Sequence, residues 1–268
     1  MTQLAATPAP ALSTLPPLVV RRIGDGSVPI LALHGLSASS AFWLPLAEEL
    51  RHDCTLTIPD LLGFGRSSKP KIDYTVDAHR DALAPIVDEM PATFVIAGHS
   101  MGAALAVALA ARWPERVERV VLLNGPLNKE YTRKDERFGE ISWWSKLFGA
   151  IFYGLAPVWA RVGYRLRREI PREVVRDYFR HTTASYTTSL RNVVFRRDVL
   201  AEVAELRQPV LAIQGGADGV VGDSSALAWP ANVEVHIIPS ATHTWPLTNP
   251  VEAAALIRPF VAQPANRR

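Results

Sequence analysis

Apolar residues gather in short, nearly unbroken runs separated by longer stretches of helical spacing. The runs are LVVRRI at 18–23, PILALHG at 29–35, CTLTIPD at 54–60, TFVIAGHS at 93–100, RVVLLNGP at 119–126, PVLAIQGGAD at 209–218 and VEVHIIPSATH at 233–243. They are apolar throughout rather than alternating, the pattern of strands covered on both faces. Residues 41–50, 77–90, 101–113 and 250–263 read as helices. Pro91 and Pro114 stand just beyond two of them, where proline stops a helix. Strand alternating with helix predicts the α/β class: a doubly wound, mostly parallel sheet with helices on both faces.

The alternation breaks between 127 and 206, where helical patterns occur without a strand. REVVRDYFRHTTASYTTSL fits one amphipathic helix or two, and VLAEVAELRQP fits another, ended by Pro209. An all-helical insertion whose ends return to neighbouring strands is expected as a cap over the sheet edge. The division is then a flexible arm at 1–17, a core made of 18–126 and 207–268, and the cap at 127–206. The first residues have no basic leader and no continuous apolar stretch, and prolines at 8, 10, 16 and 17 would break a signal helix. A cytoplasmic location is expected. The most apolar long stretch, 141–160, holds Lys146, Gly149, Gly154 and Pro157 and makes a poor membrane-spanning helix.

Composition narrows the chemistry. With 268 residues, 48% apolar and 21% charged, the chain is a globular domain rather than a disordered or fibrous one. Its one cysteine excludes an intrachain disulfide framework and a Cys-rich zinc site, and the histidines never take close metal-ligand spacing. Neither metal nor cofactor is expected. The formal net charge is +3, but residues 128–207 hold 16 Lys/Arg against 10 Asp/Glu. Those arginines are interleaved with Glu and Asp, so a solvated helical surface is preferred to a nucleic-acid site.

Gly98-His99-Ser100-Met101-Gly102 follows the strand TFVIA and opens the helix MGAALAVALAARW. A sharp strand-to-helix turn that presents a serine needs flanking residues with little or no side chain, and Gly98, Gly102 and Ala103 supply that room. The start of a helix beneath Ser100 offers free N–H groups and a positive dipole end to a developing oxyanion. A serine hydroxyl is a weak nucleophile without an oriented base, so a histidine and a carboxylate are expected with it.

With this pentapeptide, His34-Gly35 after one strand and Asp60-Leu-Leu-Gly63-Phe-Gly65-Arg-Ser67 after another, the chain resembles the α/β-hydrolase fold superfamily: a serine hydrolase with a helical cap. The resemblance covers about 18–263, the cap least. It implies the chain order nucleophile, acid, histidine. Asp218, at the end of PVLAIQGGAD, takes the acid's place ahead of its rival Asp223. His243, after VEVHIIPSAT, takes the histidine's place. The expected roles are Ser100 nucleophile, His243 general base and acid, and Asp218 orienting carboxylate. Met101 and Leu36 are the expected backbone donors of the oxyanion hole. His34 and His99 are read as structural hydrogen-bonding residues, and His236 as packed within its strand. Asp60 is read as capping a turn, since no Lys-Ser/Thr follows to make a phosphate loop.

Serine at this position speaks against haloalkane dehalogenases and epoxide hydrolases, relatives that use aspartate there. The expected activity is carboxylesterase-like cleavage of an ester, lactone or thioester of a small, largely apolar substrate. The alternatives are carbon–carbon bond hydrolysis or cofactor-free perhydrolysis on the same triad, and, in another class, a receptor-like ligand-binding protein with little turnover. Trp143, Trp144, Phe148, Phe152, Tyr153 and Trp159 crowd into the insertion. Packing of the cap onto the body is their first reading and an apolar substrate pocket the second. Membrane-surface docking, beside Arg161, Arg165, Arg167 and Arg168, ranks third. Trp43, Trp144, Phe148 and Trp245 are the expected substrate-binding residues, with Phe42 a further candidate. Oligomeric state leaves no readable signature.

Overall fold

The computed structural model describes residues 15–127, 170–222 and 224–263. Seven strands are laid down in chain order as β1 (Val20–Ile23), β2 (Val28–Leu33), β3 (Cys54–Pro59), β4 (Phe94–His99), β5 (Val117–Leu123), β6 (Val210–Gly215) and β7 (Val233–Ile238). They form one sheet in the order β1-β3-β2-β4-β5-β6-β7. Among the described residues only β1 runs antiparallel, against β3; the other pairs are parallel. Parallel neighbours need a crossover, and the helices supply it.

The helices are α1 (Leu44–Leu50, after a 3-10 turn at Ser40–Trp43), α2 (Val76–Glu89) and α3 (Met101–Arg112), then α4 (Arg172–Asp177), α5 (Thr183–Ser189), α6 (Val199–Ala204), α7 (Trp245–Thr248) and α8 (Pro250–Val261). Helices α2 and α3 cover one face of the sheet; α1, α7 and α8 cover the other. Helix α3 is rich in alanine, the strongest helix former, and is apolar nearly all round, as a helix buried between sheet and neighbours must be. Helix α2 starts where Thr75 accepts the N–H of Ala78 at 3.1 Å, a side-chain cap. Cys54, the first residue of β3, is fully buried, and burial pushes its thiol up to about 11.

Residues 172–189 form two helices rather than one. Thr182 ends the break between them by capping α5, with its side chain and that of Ser185 each accepting from the other's backbone N–H. A π-helical turn, Leu190–Phe195, then packs Val193, Val194 and Phe195 into the core beside α3. Helix α6 ends at Ala204, ahead of Pro209, because its own last turn is closed by the N–H of Glu205. Arg197 donates to the carbonyl of Ala104 at 2.7 Å, fastening this segment to α3. Strand β7 stands at the sheet edge and is only partly covered, unlike the fully buried β4 and β6. His236 accordingly does not pack: it lies on that edge, 37% exposed, paired with Glu234 at 2.9 Å.

Candidate active site

Ser100 sits between the end of β4 and the start of α3 at φ 53°, ψ −121°, a conformation that a non-glycine residue holds only under constraint. The surrounding backbone leaves no room for side chains. A Cβ on Gly98 would lie 2.2 Å from the carbonyl oxygen of Gly102, and one on Gly102 would lie 2.2 Å from that of Leu33. The Ser100 N–H donates to Leu123 of β5 at 3.0 Å, and its carbonyl accepts from Ala103 at 2.9 Å. The strained residue is thus tied to the neighbouring strand β5 and to the helix that it opens.

His243 lies on the loop between β7 and α7, with Nε2 3.0 Å from the Ser100 Oγ. Its Nδ1 is 2.8 Å from Oδ2 of Asp218, whose side chain is fully buried. The other oxygen of Asp218 accepts the backbone N–H groups of Val220 (2.8 Å) and Val221 (3.1 Å). With that oxygen occupied, Oδ2 is aimed at the ring. A carboxylate at Nδ1 favours the tautomer with its proton there and leaves the Nε2 lone pair facing the serine hydroxyl.

Two residues brace the backbone of His243. The Nδ2 of Asn124 donates to the carbonyls of Thr242 (2.9 Å) and His243 (3.0 Å), and its Oδ1 accepts the N–H of Gly215 (3.0 Å). His99, stacked on Phe42 with ring centres 4.1 Å apart, directs Nε2 to the same His243 carbonyl at 2.8 Å. Burial, reinforced by the neighbouring His243, holds His99 well below the ordinary histidine range, so it is a neutral ring.

The loop after β2 lies across from Ser100. The N–H groups of Leu36 and Met101 have no acceptor among the described residues. Ser37, at φ 58°, places Oγ 3.3 Å from Nε2 of His181. Ser39 accepts the N–H of Ala41 and donates to the buried carboxylate of Asp177 on α4 at 2.9 Å. The N–H of Ser40 donates to Asp60 at 2.7 Å, and that of Arg66 to the second oxygen of Asp60 at 2.9 Å. Burial alone would raise the Asp60 carboxyl; the hydrogen bonds from Ser40 and Arg66 outweigh it and hold the group below its usual range. His34 accepts the N–H of Leu61 at 2.9 Å and, from the same ring, contacts the Gly35 carbonyl at 2.8 Å. Asp60 and His34 therefore lock the two loops that carry the sequence pattern, one after β2 and one after β3.

Ser100, Asp218 and His243 are brought together. Met101 follows Ser100 in the chain, and Gly35, next to Leu36, lies against Ser100, where an added Cβ would stand 3.1 Å from its Cβ. Trp43 and Trp245, expected on a substrate wall, are packed instead in the core against α1 and α8, at 1% and 4% exposure. The 3-10 turn swings Trp43 inward, and the Trp245 indole donates to Glu252 of α8 at 3.1 Å. Phe42 lies in the same core, against the ring of His99. Asp223, Trp144, Phe148 and the rest of the aromatic run fall outside the described residues, as do residues 1–14 of the arm expected at 1–17. Sequence reasoning missed Asn124, Asp177 and His181, each of which meets at least one partner more than a hundred residues away. An asparagine closing an apolar strand was the one available signal. Among the described residues, no group of three or more His, Cys, Asp or Glu side chains could hold a metal ion, and no helix is long and apolar enough to cross a membrane.

A family model described as the α/β hydrolase fold matches residues 28–250. An uncharacterised protein of Mycobacterium tuberculosis is 34% identical over 104 residues, 38% of this chain; the match spans 30% of that protein's length. The 2-(acetamidomethylene)succinate hydrolase of Mesorhizobium japonicum is 27% identical over 237 residues, 84% of each chain. Among solved structures, a hydrolase of Pseudomonas aeruginosa superposes with a TM-score of 0.72 at 23% identity, covering 91% of this chain and 94% of its own.

Proposed function

The chain belongs to the α/β-hydrolase fold family, and from that premise we propose that it is a serine hydrolase that cleaves a carboxylic ester, lactone or thioester through an acyl-enzyme. One observation carries the reading. The Ser100 hydroxyl, the His243 ring and the Asp218 carboxylate stand in line at 3.0 and 2.8 Å, at a strained turn that opens a helix. In this reading Ser100 Oγ attacks the substrate carbonyl carbon while Nε2 of His243 takes its proton. The carbonyl oxygen becomes an oxyanion facing the N–H groups of Leu36 and Met101. Collapse of the tetrahedral species breaks the bond to the alcohol or thiol, which leaves with the proton from His243. Water then attacks the acyl-enzyme, gives its proton to the same nitrogen, and the acid departs from Ser100 as its hydroxyl is restored.

A second reading, amide hydrolysis on a carboxylate-bearing substrate, is favoured by the relative aligned over 84% of both chains, whose name gives an acetamido-bearing succinate as its substrate. It uses the same three residues. A panel of esters, lactones, thioesters and acylamino acids, run on the wild type and Ser100→Ala, separates the readings. Turnover of p-nitrophenyl esters lost by several orders of magnitude in Ser100→Ala supports a serine hydrolase. Equal turnover in both proteins sinks it and leaves the receptor-like alternative.

A further inference from the structure

We propose that Asn124 and His99 form a two-donor clamp that sets the position of His243, and that both are positioning residues for the hydrolysis. The inference rests on the serine-hydrolase reading above. Three separate features carry it.

The first is convergence. The His243 carbonyl receives hydrogen bonds from two side chains that come from different strand ends, Asn124 after β5 and His99 at the end of β4. A carbonyl held from two directions fixes the peptide plane that follows His243. The ring is thereby fixed relative to the serine whose neighbour in the chain is His99.

The second is reach. The same Asn124 amide accepts the N–H of Gly215, the last residue of β6, three positions before Asp218. One buried side chain thus registers the loop of the histidine against the strand that delivers the acid. Its three hydrogen bonds use both donors and the acceptor of the amide. Asn124 itself is held at φ 46°, a left-handed conformation that asparagine tolerates better than most residues.

The third is the choice of histidine at position 99. A phenylalanine would stack on Phe42 and fill the buried site without a polar group. His99 is fully enclosed, and its Nδ1 has no partner among the described residues. Such a ring is costly to bury. What it adds over a plain aromatic is the Nε2–H bond to His243.

The clamp predicts a defect in turnover rather than in substrate binding, because a misplaced base slows proton transfer without altering the pocket. Turnover of a p-nitrophenyl ester is to be measured per active serine, counted by titration with a fluorophosphonate. Melting temperatures are recorded in parallel. Asn124→Gly keeps the backbone conformation and removes the amide; kcat is expected to fall by about ten- to hundredfold with KM within about twofold. His99→Phe keeps the stack and loses the donor, and is expected to show the same split. His99→Gln replaces a donor near the Nε2 position and is expected to recover most of the lost kcat. The two His99 variants decide the matter if Asn124→Gly does not fold. Wild-type kcat per titrated serine in His99→Phe, or equal kcat in the Phe and Gln variants, would overturn the clamp while the serine reading stands. Failure of the fluorophosphonate to label Ser100 in the wild type overturns both.

Discussion

The hydroxyl of Ser39 donates to the Asp177 carboxylate across 138 positions of sequence, which fastens helix α4 of the insertion to the loop that carries Leu36. The Ser39 side chain also caps the 3-10 turn behind that loop by accepting from Ala41. Ser39→Ala therefore removes a cap, at a cost of about 1 kcal/mol, and leaves one oxygen of Asp177 short of a donor. We expect a lower denaturation midpoint together with a fall in kcat on esters. A lowered midpoint with unchanged kcat would show that the loop holds its place without α4.

Asp218→Asn should fold, since both backbone donors to its Oδ1 can still be accepted by an amide oxygen. The amide would no longer hold the proton on Nδ1 of His243, and by the logic of the serine triad kcat should drop by about four orders of magnitude. Glu234→Gln, which alters the partner of the edge histidine His236, should leave kcat within about twofold. The comparison is made by steady-state kinetics on one ester. Similar losses in both variants would contradict the assignment of the acid.

Acid should destabilise the fold through a buried histidine other than His243. His79 of α2 is fully buried, meets the Ser189 hydroxyl at 3.2 Å, and is lowered by burial, with a lesser push from His34, to about 3. The unfolded chain binds a proton at that residue below about pH 6.5, whereas the folded chain resists it until about pH 3. Stability is therefore complete above pH 6.5 and lost progressively as pH falls; at pH 4.5 the loss from this residue is about 3 kcal/mol. In His79→Gln the slope of urea midpoint against pH between 6.5 and 4.5 should be shallower than in the wild type. Parallel slopes would assign the acid sensitivity to other groups, His34 and His99 first, which are also held below the ordinary range by burial.

Gly102→Ala tests the tightness of the turn. Its Cβ would stand 2.2 Å from the Leu33 carbonyl oxygen and 2.7 Å from that of His34, both backbone atoms that cannot swing away. We expect a loss of soluble, folded protein, or a lowering of stability by about 3 kcal/mol or more, read by thermal unfolding. A variant with unchanged Tm would mean that α3 can slide away from β2 at little cost.

The strands were readable because burial of the central ones on both faces leaves short apolar runs, bounded by turn residues and alternating with longer helical stretches. Ser100 stood out for a different reason, the small residues around it at a strand-to-helix turn. Asp218 and His243, which the structure sets at hydrogen-bond distance in line with it, were expected from the chain order that the family resemblance implies. What a strand's own residues do not carry is its place in the sheet. VEVHIIPSATH looks as buried as TFVIAGHS, yet β7 has a neighbour on one side alone, and His236 faces outward as a result. In the segment from 172 to 195 the second helix starts at the local Thr182–Ser185 cap, but its contacts, such as Ser185 with the Gly63 carbonyl 122 positions away, and the π turn packed beside α3 are not recorded in local spacing. Asn124 was hidden for the same reason, since its role is defined by the carbonyl of a residue 119 positions away.

Cys54 has one more consequence. It is the chain's single cysteine, it lies inside the sheet, and its thiol is held at about 11, so almost none of it is thiolate at neutral pH. The Cys54 thiol of the folded protein is therefore expected to resist iodoacetamide and maleimides. An electrophile that inactivates it at neutral pH reports on an oxygen or nitrogen nucleophile rather than on sulfur. The same resistance makes the wild type a ready background for spectroscopy: a cysteine introduced on the exposed face of α4 would be the one site that takes a fluorophore or spin label, and its signal would follow the insertion without any native thiol having to be removed.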